Sequence, residues 1–162
     1  MKNRKVVYMT QAALIAAIYV VVTVILRPLG FGPVQVRISE MLCVLPIFTP
    51  AAVPGVVLGC FIANILGGAI LPDVICGTVA TLIGAVLTYR LREKNRIIAV
   101  LPPIISNAAI VPFVLKYAYG EPFSIPFMMC TVGIGEIVSV GVLGLMLAAV
   151  LERHKNTIFR HI

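Results

Sequence analysis

Residues 6–26 read VVYMTQAALIAAIYVVVTVIL, and none of these side chains carries a charge. An apolar stretch of about 18 residues or more is long enough to cross the roughly 30 Å hydrocarbon core of a bilayer as a helix. A secretory signal peptide has a shorter apolar core, of about 7 to 15 residues, followed by a cleavage site of small residues. We therefore interpret this stretch as a permanent membrane helix.

The composition of the whole chain also indicates a membrane protein. Of its 162 residues, 60% are hydrophobic and 12% are charged, whereas an average globular domain carries about 25% charged residues. The net charge is +7, but the basic residues form clusters instead of a continuous nucleic-acid-binding stripe. The clusters are Lys2, Arg4 and Lys5; Arg90, Arg92, Lys94 and Arg96; and Arg153, Lys155 and Arg160. This distribution follows the positive-inside rule, and we expect no nucleic-acid partner.

Prolines and glycines divide the apolar sequence into six predicted helices. Residues 41–72 carry no charge, and as a single helix they would span roughly 48 Å, well beyond a bilayer core. Pro46, Pro50, Pro54 and Gly55 break this stretch. The predicted helices cover residues of about 8–26, 38–48, 51–70, 72–91, 97–119 and 122–151. We expect an all-α integral membrane bundle of six transmembrane helices that forms a single domain, residues 1–162.

The basic clusters also predict how the bundle is oriented. Six crossings would return the C-terminus to the side of the N-terminus, and all three clusters would then lie on that side. We expect this side to be the cytoplasm, so that the protein is N-in and C-in and lies in the cell membrane in contact with lipid.

Glu136 is the strongest candidate for a ligand contact. A charged residue at membrane depth costs about 2.5 to 3.5 kcal/mol on the insertion scale, so it needs a partner, a cavity or a function. Glu136 lies in the middle of helix six with no lysine or arginine within a helical turn. Gly133 and Gly135 precede it and would let a flat ligand or another helix approach the backbone closely.

The remaining polar residues of the membrane segments each have two interpretations. Arg37 and Glu40 are three positions apart, so they form either an ion pair near the interface or part of a ligand site. Asp73 either caps helix four or contributes a carboxylate to the site. Asn64 and Asn107 either link helices by hydrogen bonds or contact the ligand. With Glu136, these five residues form the predicted substrate site.

The sequence has no pattern that indicates an enzyme, a metal site or a cofactor site. It contains no GxxxxGK[ST] loop, so we expect no ATP site on this chain. His154 and His161 are the only histidines and lie in the C-terminal tail, so the membrane segments lack an imidazole base or metal ligand. We interpret the cysteines as small buried hydrophobic residues without disulfides. They are Cys43, Cys60, Cys76 and Cys130.

Small residues mark surfaces where helices approach closely. Helix one carries two interleaved AxxxA pairs, helix three carries a GxxxG pair, and helix four carries a similar pair. They are Ala12 with Ala16, Ala13 with Ala17, Gly55 with Gly59, and Ala80 with Gly84. Packing within the bundle is the simple interpretation of each pair. The strip of four alanines on helix one is also suited to docking a partner protein in the membrane.

Together these features resemble the substrate-binding S components of energy-coupling factor (ECF) importers in size, in six-helix layout and in the alanine-rich first helix. Several segments are similar to the queuosine precursor transporter (QueT) family, and the resemblance covers nearly the whole chain. The segments are residues 32–40 (GPVQVRISE), 48–55 (FTPAAVPG), 63–68 (ANILGG), 101–103 (LPP) with Asn107, and 132–136 (VGIGE).

The resemblance implies uptake of a 7-deazaguanine queuosine precursor, such as 7-aminomethyl-7-deazaguanine, in a complex with a transmembrane coupling subunit and two ATPase subunits. The guanine edge presents adjacent N–H donors that suit one carboxylate, and the aminomethyl cation suits a second. Glu136 with either Glu40 or Asp73 would supply these, and Asn64 or Asn107 would read other ring positions. The alternatives are an S component for another vitamin-like compound and a membrane assembly protein without a small-molecule ligand.

Overall fold

A computed structural model describes residues 2–27 and 36–154, with side chains from residue 4 onward. Residues 28–35, between predicted helices one and two, lie outside these ranges, as do Lys155 and Arg160. The described chain forms six helices and no strand. They are α1 (Lys2–Ile25), α2 (Ile38–Ile47), α3 (Ala52–Leu66), α4 (Leu71–Leu91), α5 (Arg96–Tyr117) and α6 (Ile125–Arg153). The predicted all-α bundle is confirmed.

Four of these helices are long and apolar enough to cross a membrane: α1 from Arg4 onward, α4, α5 and α6. Their outward surfaces carry large exposed apolar side chains such as Leu14, Ile105 and Met146, as expected of surfaces that face lipid. Helices α2 and α3, with 10 and 15 residues, fall below that length. The count of six crossings therefore stays a prediction.

Helix α3 ends earlier than the sequence predicts, at Leu66 instead of about residue 70. The reason is the backbone of Gly68, whose φ of +76° is a left-handed conformation that favours glycine and closes helices. Conversely, α1 extends back to Lys2, through the basic residues that sequence analysis placed before the helix. In α5 the helix continues through Pro102, Pro103 and Pro112.

Helix α2 occupies the centre of the bundle and packs against all five other helices. It is wound as a 3₁₀ helix with Pro46 inside it, and Cys43 and Val44 are completely buried. Opposite it, the Ile137–Gly144 segment of α6 is wound as a π-helix. A Cβ atom at Gly144 would lie 3.3 Å from the carbonyl oxygen of Met41 in α2, so the two segments touch closely. π-helical turns are rare and occur frequently at functional sites.

The small residues predicted from the sequence do allow close packing. On α3, a Cβ atom at Gly59 would lie 2.7 Å from the Cβ atom of Tyr19 and 3.2 Å from the Cα atom of Ala16, both on α1. On α4, a Cβ atom at Gly84 would lie 2.7 Å from the Cα atom of Pro103 on α5. Glycine at these positions is therefore what lets α3 and α4 approach their neighbours.

Candidate functional site

The polar residues predicted to form the site are all buried, although they come from five different parts of the chain. The exposed fractions are 7% for Arg37, 1% for Glu40, Asn64 and Asp73, 3% for Asn107 and 5% for Glu136. Buried polar groups in an apolar bundle must be paired or bind a ligand, because an unpaired buried group is unfavourable by several kcal/mol. The pairing of each residue therefore indicates its role.

Asp73 is held by two partners at one end of the bundle. Its Oδ2 atom accepts a hydrogen bond of 2.9 Å from the hydroxyl of Tyr119 and lies 3.8 Å from an Arg37 guanidinium nitrogen. The Ile70 backbone N–H donates to the same Tyr119 oxygen over 3.3 Å. Partial burial and the Asp73 charge raise the pKa of Tyr119, so its hydroxyl stays protonated and donates. Asp73 lies in the first turn of α4, but no side chain caps that helix.

Because Gly77 on α4 has no side chain, polar side chains from α3, from α4 and from the residue before α2 come together beside its backbone. A Cβ atom at this position would lie 3.2 Å from Asn64 Nδ2, 3.7 Å from Asp73 Oδ1 and 3.8 Å from an Arg37 guanidinium nitrogen. The Asn64 amide is oriented by Cys60, whose sulfur accepts its N–H over 3.5 Å and also the Thr81 hydroxyl over 3.3 Å. Arg37, Asn64 and Asp73 therefore form one polar group around the bare backbone of Gly77.

Glu40 is bound by neutral donors from its own helix and from α1. The Tyr19 hydroxyl donates to Glu40 Oε1 over 2.5 Å, and the Cys43 thiol donates to Oε2 over 2.9 Å. Beside this contact, the hydroxyls of Thr23 and Ser39 are hydrogen-bonded over 2.7 Å. Arg37, for which the sequence allowed an ion pair with Glu40, forms an ion pair with Asp73.

Glu136 lies close to Asn107 of α5, and its ionisable neighbours are Arg37 and Glu40. The Asn107 side chain is near enough to stabilise the Glu136 carboxylate. Even so, Asn107 Nδ2 and Glu136 Oε2 make no hydrogen bond of standard geometry to any described residue, and neither does Asp73 Oδ1. These buried atoms have donor or acceptor capacity that a bound ligand can use.

Several site residues were missed by sequence analysis. Tyr19, Tyr119 and Ser39 bond directly to predicted residues or lie next to them. Ser139 is completely buried one turn after Glu136, and its hydroxyl has no partner in the described part of the chain. Tyr19, in the middle of the apolar first helix, was the available signal, because a tyrosine has a polar tip that needs a partner when it is buried, and Tyr19 is fully buried.

The predicted docking alanines divide into two groups. Ala12 and Ala16 are buried against α3, next to Gly55 and Gly59. Exposed alanines on the neighbouring face line an apolar groove of about 500 Å³ between α1 and α3. The groove residues are Ala13, Ala16, Ala17, Val20, Val21, Leu58 and Ile62.

The sequence predicts no disulfides, and all four cysteines are free thiols in the structure. Their predicted burial is correct for Cys43 and Cys60 and wrong for Cys130, which is exposed on α6, while Cys76 is partly buried. A free thiol behaves as a small hydrophobic side chain, which an exposed position on an apolar helix tolerates.

Comparison with known proteins indicates the family of the chain. The family model described as QueT transporter matches residues 9–153. Over 99 residues the chain is 35% identical to a protein of Lactococcus lactis subsp. cremoris (strain MG1363) named queuosine precursor transporter QueT. This match covers 57% of the chain and 58% of that relative's length. No solved structure is a significant match. The protein is thus a multi-pass membrane protein, and because the family model covers most of its length, it belongs to the QueT transporter family.

Proposed function

We propose that this protein is the substrate-binding S component of an ECF-type importer for a queuosine precursor such as 7-aminomethyl-7-deazaguanine. The observation that carries the proposal is a buried, carboxylate-rich site inside a member of the QueT transporter family. The protein acts by binding its substrate and performs no chemistry on it.

The chemistry of the site supports a 7-deazaguanine ligand. A deazaguanine ring presents N–H donors on its guanine edge, which carboxylates accept, and a carbonyl oxygen, which an amide or guanidinium donates to. The site supplies both kinds of group, with Asp73 Oδ1 and Glu136 Oε2 as acceptors and Asn107 Nδ2 as a donor. Arg37 and Asn64 add further donors around Gly77.

The charge of the site supports a cationic substituent on that ring. The buried site contains three acidic side chains, Glu40, Asp73 and Glu136, and one basic side chain, Arg37. Buried charge of one sign in an apolar medium is unfavourable and is relieved by a bound ion of the other sign. The aminomethyl group is protonated at neutral pH and supplies that charge.

The arrangement of the helices supports entry of the substrate from outside. Helix α4 starts beside Asp73 and ends before the basic loop 92–95, and α5 starts after that loop and ends beside Tyr119. Arg37, Asp73 and Tyr119 therefore lie at the opposite end of the bundle from the basic loop. With that loop in the cytoplasm, as the positive-inside rule requires, the N-in and C-in orientation puts these residues at the outer mouth.

Energy for uptake must come from partner proteins in this proposal, because the sequence has no phosphate-binding loop. The partners are a transmembrane coupling subunit and two ATPase subunits. The apolar groove beside Ala13 and Ala17 supports docking of the coupling subunit at α1, since small side chains allow a second helix to approach closely. Ala12 instead contributes to packing against α3.

A binding titration tests the substrate assignment. The purified protein in detergent is titrated with 7-aminomethyl-7-deazaguanine, guanine and a panel of vitamins, and the heat of binding and the thermal shift are measured. We expect saturable binding of the deazaguanine and a raised unfolding temperature, because a ligand that binds only the folded state stabilises it. Binding of a vitamin instead would assign a different S-component substrate. The absence of any thermal shift would favour an assembly protein without a ligand.

A further inference from the structure

Three polar atoms from different parts of the chain lie beside the backbone of Gly77 in α4. A Cβ atom at Gly77 would lie 3.2 Å from Asn64 Nδ2, 3.7 Å from Asp73 Oδ1 and 3.8 Å from a guanidinium nitrogen, so all three atoms lie within 3.8 Å of one point. The guanidinium belongs to Arg37. Gly77, Asn64 and Asp73 are buried. Because Gly77 has no side chain, one ligand group at this point can contact a donor and an acceptor together.

The two oxygen atoms of Asp73 have different surroundings. Oδ2 accepts the hydrogen bond of the Tyr119 hydroxyl and lies 3.8 Å from the Arg37 guanidinium. Oδ1 accepts no hydrogen bond of standard geometry from any residue in the ranges 4–27 and 36–154, although Asp73 is only 1% exposed. A buried carboxylate oxygen without a donor is unfavourable. This is the oxygen that lies beside Gly77, so an unused acceptor is available at the point described above.

Asn64 supplies a donor next to that acceptor. Its Nδ2 atom donates to the sulfur of Cys60 over 3.5 Å. A side-chain amide nitrogen has two hydrogens, so a second N–H is available to another acceptor. No hydrogen bond of standard geometry joins it to Asp73 Oδ1, although both atoms lie beside the same point. The donor and the acceptor are therefore held in place by other partners, Cys60 and Tyr119.

We infer that Gly77, Asn64 and Asp73 form the subsite for the lactam edge of the ligand, where a ring N–H stands next to a carbonyl group. The ring N–H donates to Asp73 Oδ1, and the carbonyl oxygen accepts from Asn64 Nδ2. The edge lies against the Gly77 backbone, where the missing side chain permits close approach. This inference rests on the proposed function and names the ring positions that these residues recognise. Gly77 is then a specificity-determining residue.

An analogue of the same size with the opposite hydrogen-bonding pattern tests this assignment. In the diamino analogue of 7-aminomethyl-7-deazaguanine, an amino group replaces the carbonyl oxygen and the neighbouring ring nitrogen has no hydrogen. Dissociation constants of both compounds are measured with wild-type protein and Asp73→Asn, at a mildly alkaline pH at which the ring of the analogue is neutral. We expect wild-type protein to prefer the lactam by roughly tenfold or more, as for a hydrogen bond to a charged group.

Asp73→Asn should reduce this preference by roughly tenfold or more. The asparagine oxygen faces the Tyr119 hydroxyl and the Arg37 guanidinium, which are donors, so its NH2 group takes the position of Oδ1. There it opposes the lactam N–H and suits the bare ring nitrogen of the analogue. An unchanged preference in this variant would overturn the subsite and leave the proposed function standing, as would wild-type protein that binds both compounds equally. Wild-type protein that binds neither compound refutes the proposed function itself.

Gly77→Ala tests the same subsite without removing a charge. The new methyl group needs only a small shift of the Asn64 amide, so the ligand-free variant should unfold at about the wild-type temperature. Its affinity for the deazaguanine should fall roughly tenfold or more, because the methyl group occupies the place of the lactam edge. The control is Gly141→Ala, where the Cβ atom would lie 3.7 Å from Ile137 Cγ2, and its affinity should equal that of the wild type.

Unchanged affinity in Gly77→Ala would overturn the subsite, since the point beside Gly77 would then hold at most a water molecule. A loss of affinity that is equal in Gly141→Ala would overturn it as well, because the effect would not be specific to this position. Thermal unfolding without ligand shows whether each variant is folded. If either Asp73→Asn or Gly77→Ala does not fold, the other variant provides the test.

Discussion

Replacing Glu136 by glutamine separates ligand binding from folding. Glutamine has the same size as glutamate and keeps one carbonyl oxygen. It carries no charge, and its NH2 group donates at the position where the second glutamate oxygen accepts a hydrogen bond. Glu136 is 5% exposed, so bulk water cannot replace the lost interaction. Breaking a buried, hydrogen-bonded charged pair weakens binding by about 2 to 5 kcal/mol, or roughly 30- to 5,000-fold.

The same substitution should have the opposite effect on the protein without ligand. Glu136 is buried, and its Oε2 atom makes no hydrogen bond of standard geometry within the described part of the chain. A buried ionisable group is unfavourable in an apolar bundle, and glutamine removes it while fitting the same volume without leaving a cavity. We therefore expect the ligand-free variant to unfold at the wild-type temperature or above it, while its affinity for the deazaguanine falls.

Calorimetric titration and thermal unfolding of the purified variant measure both effects. The control is Glu152→Gln at the C-terminal end of α6, where the carboxylate is 46% exposed and pairs with Arg96. Such a surface pair contributes about 0 to 1 kcal/mol, so neither affinity nor stability should change there. An unchanged dissociation constant in Glu136→Gln would refute its contact with the ligand. A loss of stability that matches the loss of affinity would show that the residue is structural.

Ala17→Trp should fill the groove on α1 and abolish ATP-dependent uptake by the reconstituted complex, while the isolated protein still binds ligand; persisting uptake would remove α1 as the docking surface. Ala16→Trp is less informative, since Ala16 also packs against Gly59. A cysteine at position 119, in a variant with the native cysteines replaced by serine, should react with an impermeant thiol reagent from outside; labelling only from the cytoplasm would reverse the topology. Gly84→Ala would place a Cβ atom 2.7 Å from the Cα atom of Pro103 and should destabilise the bundle by about 1 to 3 kcal/mol. The control is Gly133→Ala, where the new Cβ atom would lie 3.7 Å from its nearest neighbour, so its unfolding temperature should equal that of the wild type. If Gly84→Ala were as stable as Gly133→Ala, the close packing of α4 on α5 would be contradicted.

The helices could be predicted because apolar stretches and the prolines that interrupt them are visible in short segments of the sequence. Their ends were less predictable: the first turn of α1 contains Lys2, Arg4 and Lys5, which do not prevent a helix from extending into the interface. The 3₁₀ winding of α2 and the π-helical segment of α6 were not predictable, because both arise where the two segments pack against each other.

The identity of the buried polar residues followed from the sequence, but their pairing did not. The spacing of Arg37 and Glu40 suggests a helical ion pair, yet Arg37 precedes α2 in an extended conformation, with φ −88° and ψ 93°, so the helical spacing rule does not apply to it. Tyr19 and Glu40 are 21 positions apart, and Asp73 and Tyr119 are 46 apart. Contacts at such separations depend on how whole helices pack, which no local pattern encodes.

Native mass spectrometry of the protein purified from cells supplied with 7-aminomethyl-7-deazaguanine tests the central claim most directly. It identifies any compound that the site retains by its mass, so no candidate ligand has to be selected beforehand. We expect an adduct whose mass equals that compound on the wild-type protein, and its absence on Glu136→Gln purified in the same way. Retention of an unrelated compound, or the same adduct on both proteins, would contradict binding of a deazaguanine in the site around Glu136.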